Sequence, residues 1–148
     1  MTFTDEYGNP LPKGTAIDLQ PYSPHAGIIG YLPSGQQVVA HNSKQHGRAV
    51  VTLLEEFNDF NIPFRIIAYP LFDGDGERIW RNAVYDVKRG LPWSGDDNCQ
   101  DFVSRAYTGR NGSPTRDAIL TGLAIAGGLA WVGNALSKPN RRRRYTRR

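Results

Sequence analysis

The apolar positions change their period about halfway along the chain. Up to Tyr69 they fall in short β-rich runs separated by turn residues: Thr15–Leu19, Gly27–Leu32, Gln37–His41, Ala49–Val51 and Phe64–Tyr69. The second and third runs flank Pro33-Ser34-Gly35, which signals a hairpin, and a short helix fits between Leu53 and Phe60. Beyond Asp75 the spacing becomes helical. Ile79, Trp80, Ala83, Val84 and Val87 line one stripe, so residues 75–88 form an amphipathic helix stopped at Gly90. A second helix starts near Asn98, behind the N-cap types Asp96, Asp97 and Asn98. Phe102, Val103, Ala106 and Tyr107 give it an apolar face, and Gly109 ends it. Strands followed by helices predict an α+β fold: a small antiparallel sheet with the second helix packed on it.

Three zones follow: a globular part from residue 1 to about 113, an apolar Gly/Ala-rich segment over 114–136, and a basic tail over 137–148. A chain of 148 residues with 39% hydrophobic content sustains one core. The net charge is +4, but six arginines (Arg141 to Arg144, Arg147 and Arg148) stand in the last eight residues. The rest therefore carries about −2 by the same count, and the basic character belongs to the tail. The stretch Ala118–Leu136 has no charged residue and is just long enough for a bilayer core, though Gly, Ala, Thr121 and Asn134 dilute it. It suits a membrane helix, a buried or oligomerising helix, or a hairpin on a lipid surface. The arginines Arg141, Arg142, Arg143 and Arg144 suit anionic lipid headgroups or nucleic acid. Met1 to Gly14 is polar and turn-rich, without the pattern of a secretory signal, so a cytoplasmic, membrane-associated protein is expected.

One cysteine makes no internal disulfide, and three scattered histidines with no CxxC pair make no structural zinc site; no metal or cofactor is expected. A lone cysteine is ordinarily a small buried hydrophobe. Cys99, however, falls in the first turn of the second helix, where the helix N-terminus favours a thiolate and is expected to lower the thiol pKa. A thiolate nucleophile needs a base and a group to hold that base. His25 precedes one apolar strand and His41 closes the next, so strands paired through the Pro33-Ser34-Gly35 turn would set them as neighbours at one end of the sheet. His46 lies in the polar loop Ser43-Lys-Gln-His-Gly47 and reads as exposed.

The order His25-Ala-Gly-Ile-Ile-Gly, Val38-Val-Ala-His41-Asn-Ser and Asn98-Cys99-Gln-Asp-Phe102 resembles the lecithin retinol acyltransferase-like group, the circularly permuted NlpC/P60 branch of papain-like enzymes. The likeness runs over residues 11–115 and includes Gly14-Thr-Ala-Ile-Asp18 as an opening strand. It implies Cys99 as nucleophile, His25 as general base and His41 as the third polar residue. It also implies a thioester acyl-enzyme and lipid esters as substrates, in the manner of a phospholipase or acyltransferase. Two departures stand out. Gln100-Asp101 replaces the Glu-His that usually follows Asn-Cys in that group, and the loop through Leu32-Pro33-Ser34-Gly35 is longer. An amidase or peptidase acting on peptide or peptidoglycan bonds shares the same chemistry. A different class, a non-catalytic protein that binds nucleic acid or assembles a particle through its tail, would leave Cys99 as a buried thiol.

Overall fold

The computed structural model describes residues 2–95 and 98–109. The apolar segment over 114–136 and the basic tail over 137–148 lie outside them. Eight elements run in the order β1 (Ala16–Asp18), β2 (Ala26–Tyr31), β3 (Gln37–Ser43), β4 (Arg48–Leu53), α1 (Leu54–Phe57), β5 (Arg65–Ala68), α2 (Asp75–Lys88) and α3 (Cys99–Thr108). The strands form one antiparallel sheet in the order β4-β3-β2-β1-β5. The α+β class and the sheet agree with the sequence pattern.

Both faces of this sheet are covered, which the period-two alternation along each strand makes explicit. Ala26 and Ile28 of β2, Ala40 of β3 and Ala49 of β4 face α2 and α3, where they meet Ile79, Ala83, Phe102, Val103 and Ala106. The sheet offers small side chains here, so the helices settle close and supply the bulk themselves. Gly30 shows how close: a β-carbon there would lie 2.4 Å from the Trp80 ring of α2. The alternate residues Ile29 of β2 and Val39 of β3 face the other way, against Leu54, Phe57, Phe64, Phe3 and Leu11. The N-terminal stretch, read from sequence as polar and turn-rich, thus roofs this second core. Phe3 stacks on Phe64 with ring centroids 4.1 Å apart, and its backbone N–H donates to Gln37 Oε1 at 2.6 Å.

Helices α2 and α3 are joined by polar contacts as well as packing. Asp86, 3% exposed, accepts from Arg105 Nε of α3 and from Arg89 Nε, each at 2.7 Å. A buried carboxylate without such partners would carry a severe desolvation penalty. Next to Arg105 along α3, Asn82 Nδ2 donates to the Ala106 carbonyl at 3.0 Å and Arg78 to the Tyr107 carbonyl at 3.1 Å. These carbonyls belong to the last turn, where a helix has no partners of its own. Gly109, at φ 68°, adopts the left-handed conformation that closes it. Helix α3 is therefore held rigidly at its C-terminal end, and its first residue is Cys99.

Candidate active site

Cys99 is placed by a capping box. The Asn98 side chain accepts from the backbone N–H of Gln100 at 2.9 Å and of Asp101 at 3.3 Å, while Asp101 Oδ2 accepts from Asn98 N–H at 3.1 Å. The two side chains satisfy three amide groups around the helix start. The cap leaves the Cys99 N–H outside these bonds, facing the end of the helix. The Asp101 that departs from the resembled family's pattern is the second half of this box.

The Cys99 thiol donates to the carbonyl oxygen of Pro24 at 2.8 Å. It lies in a cavity of about 270 Å³ lined by Pro24, His25, Asn42, Lys44, Trp93, Asn98, Cys99 and Gln100. Two remote segments of sequence, 24–25 and 98–100, thus meet over one hollow. Opposing influences act on the thiol. Burial pushes its pKa up and the Asp18 carboxylate adds to that, whereas the backbone amides of Ala26, Cys99 and Gln100 favour the thiolate. The net shift is upward. The sequence-based expectation of a lowered pKa is corrected here: desolvation outweighs the helix terminus because the sulfur is packed against the 24–26 backbone.

His25 lines the same cavity. It comes one residue before β2 begins, so strand alternation does not assign it to either face. Its ring meets Phe57 edge-on, with centroids 6.1 Å apart.

His41 is near His25 but is not its partner across the ladder. Residues Ile28 and Ala40 are partners in the β2–β3 ladder, and the pairing ends at Tyr31 and Gln37. Continuing the register sets Gly27, not His25, across from His41. A β-carbon on Gly27 would lie 3.3 Å from that of His41, so the two share a face. That face is the one covered by α1. His41 packs edge-on against Phe57 at 5.0 Å, and its Nε2 pairs with Thr52 Oγ1 at 2.9 Å. Its Nδ1 is buried and has no hydrogen-bond partner among the described residues. Burial, reinforced by the nearby His25 and His46 imidazoles, lowers its pKa to about 3. The structure therefore brings Cys99 and His25 to the lining of one cavity, which His41 does not join, while the rings of His25 and His41 share Phe57 as a neighbour.

His46 is exposed, as expected, but it is engaged: Nδ1 meets Ser43 Oγ at 2.8 Å and Nε2 meets Glu56 Oε1 at 3.0 Å. Asn42, Lys44 and Trp93 were not singled out from sequence. Asn42 adjoins His41, and strand alternation turns it toward the α3 face. Trp93 stands in the turn-rich Leu91-Pro-Trp-Ser-Gly95 just ahead of the cysteine, a signal that could have been read as a site wall. Comparison with known proteins adds no relative: no family model matches the chain, and neither a curated protein nor a solved structure gives a significant match.

Proposed function

We propose that this chain is a thiol hydrolase or acyltransferase in which Cys99 is the nucleophile and His25 the general base. The observation that carries the reading is the meeting of the thiol and His25 at one cavity, with the sulfur seated on the peptide that joins Pro24 to His25. Because burial disfavours the free thiolate, the proton has to leave as attack proceeds, and an imidazole at the same cavity is the group to take it. The sulfur then adds to an acyl carbonyl, whose oxyanion accepts a hydrogen bond from the Cys99 N–H at the helix start. The C–O or C–N bond breaks, the leaving group takes the proton back from His25, and a thioester remains. Water or a second acceptor, deprotonated by His25, releases the acyl group. His41, neutral and not among the residues that line the cavity, acts as a positioning residue near His25 and does not touch substrate. Lipid esters are the proposed substrates, supported by the resemblance to the permuted NlpC/P60 group, by the Trp93 and Pro24 walls, and by the apolar and basic C-terminal segments.

A second reading is favoured by the short thiol bond to Pro24 and by the upward shift of the thiol: Cys99 as a structural donor that ties α3 to the sheet. One experiment separates the two. Protein incubated with short-chain p-nitrophenyl esters and with phospholipid vesicles is examined by mass spectrometry for a hydroxylamine-sensitive acyl adduct on Cys99. The enzyme reading expects the adduct and its absence in Cys99→Ala. No adduct, with ester hydrolysis equal in wild type and Cys99→Ala, supports the structural reading.

A further inference from the structure

Among the described residues that line the Cys99 cavity there is one lysine and no carboxylate. Lys44 belongs to the turn between β3 and β4. Its ammonium lies over the Trp93 ring, 5.3 Å from the centroid. Trp93 is anchored to the same turn: its backbone N–H donates to the Gly47 carbonyl at 2.9 Å, and two residues earlier the Leu91 carbonyl accepts from Ala49 N–H at 2.8 Å. The cation and the ring that carries it are therefore one unit, fixed to the hairpin that also presents Asn42. An aromatic face attracts the ammonium without cancelling its charge, and no described carboxylate forms an ion pair with it.

We infer that Lys44 and Trp93 form a subsite for an anionic group, a carboxylate or a phosphate, carried by the substrate beside the bond that Cys99 attacks. This rests on Cys99 being the reactive thiol and deepens that reading: it names the charge of the substrate. A phosphate beside the scissile bond belongs to a phospholipid ester, a carboxylate to a peptide-like amide. Lysine acts as a point charge and accepts either.

The test uses Cys99 itself as the reporter. Iodoacetate and iodoacetamide each form an S–C bond and release iodide, with loss of the thiol proton, and they differ in bearing a carboxylate or a neutral amide. The ratio of their alkylation rates cancels any change in the thiolate fraction. Wild-type protein is expected to show a ratio about threefold to tenfold above that of Lys44→Met. Lys44→Glu should fall lower still, Lys44→Arg should keep the ratio, and Lys13→Met, remote from the cavity, should leave it unchanged. A ratio that Lys44→Met does not move overturns the subsite. Protection of Cys99 from iodoacetamide by succinate, or instead by inorganic phosphate, lost in Lys44→Met, identifies the anion. Protection by neither overturns the proposal. Alkylation that responds to Lys44 without any ester turnover would sink the enzyme reading alone, whereas a thiol that neither reagent reaches in the folded protein sinks both.

Discussion

The Cys99 thiol and the Pro24 carbonyl oxygen are 2.8 Å apart, although 75 residues separate them in the chain. The bond sets the sulfur on the backbone immediately before His25. It also stabilises the protonated thiol, so ionisation has to break it. The proposed nucleophile and base are thus tied by a main-chain contact, and the consequences can be measured.

His25→Ala removes the proposed proton acceptor from the rim of the cavity without opening a core. Ester turnover should fall by about 10²- to 10⁴-fold with little change in Tm. His41→Ala empties a buried site against Phe57 and strips Thr52 of its partner, so it should cost on the order of 2–4 kcal/mol of stability. Its effect on turnover in the folded fraction should be the smaller one. Steady-state kinetics beside thermal melts check both; the opposite order would exchange the two roles.

Acid should destabilise the fold through His41. Its pKa is about 3 when folded and near 6.5 when unfolded, so between these values the unfolded chain binds the extra proton. The stability is fully present above pH 6.5 and is lost as pH falls toward 3, by a few kcal/mol for this one group. Chemical denaturation across that range should show the decline. His41→Gln, which still reaches Thr52 but takes no proton, should flatten it; an unchanged slope would remove His41 as its source.

Loss of the cap should harm chemistry more than stability. Asn98→Ala removes two acceptor contacts at the start of α3, worth about 1 kcal/mol and a Tm decrease of about 3–4 °C. The first turn carries Cys99, so fraying there displaces the sulfur and the Cys99 N–H together. Turnover per folded molecule should drop at least tenfold, and Asn98→Asp, which keeps the acceptor, should restore most of it. Full activity in Asn98→Ala would mean that the box does not position the nucleophile.

The C-terminal segments should direct the protein to anionic membranes. Each of the six tail arginines contributes on the order of 1 kcal/mol near an acidic surface, and the uncharged stretch Ala118–Leu136 adds weak insertion. The full chain should co-sediment with anionic vesicles while a chain ending at Ser113 stays in the supernatant. Equal sedimentation of the two, or of neither, removes the tail as an anchor. Preferential capture of nucleic acid favours the particle-assembly reading instead.

What the sequence determined by itself was local. Period two and period 3.6 located the five strands and the helices, residues 75–88 to the residue, because burial on one face imposes that spacing. Asn98 ahead of Cys99, with Gly109 behind, marked the ends of α3, because helix termini need side-chain acceptors and a left-handed stop.

Only tertiary structure decided the rest. Register is a pairing between strands, and in this hairpin it set Gly27, two positions from the expected His25, across from His41. The pKa of Cys99 depended on how deeply a distant backbone buried it, which no helix position reveals. Phe3 and Leu11 gave no periodic signal, yet they roof one core, since a segment without regular structure can still cover apolar area. Lys44 and Trp93 became neighbours of Cys99 because two turns fold over one helix end. Local patterns are set by nearest neighbours along the chain; the site is a meeting of segments dozens of residues apart, and packing alone brings them together.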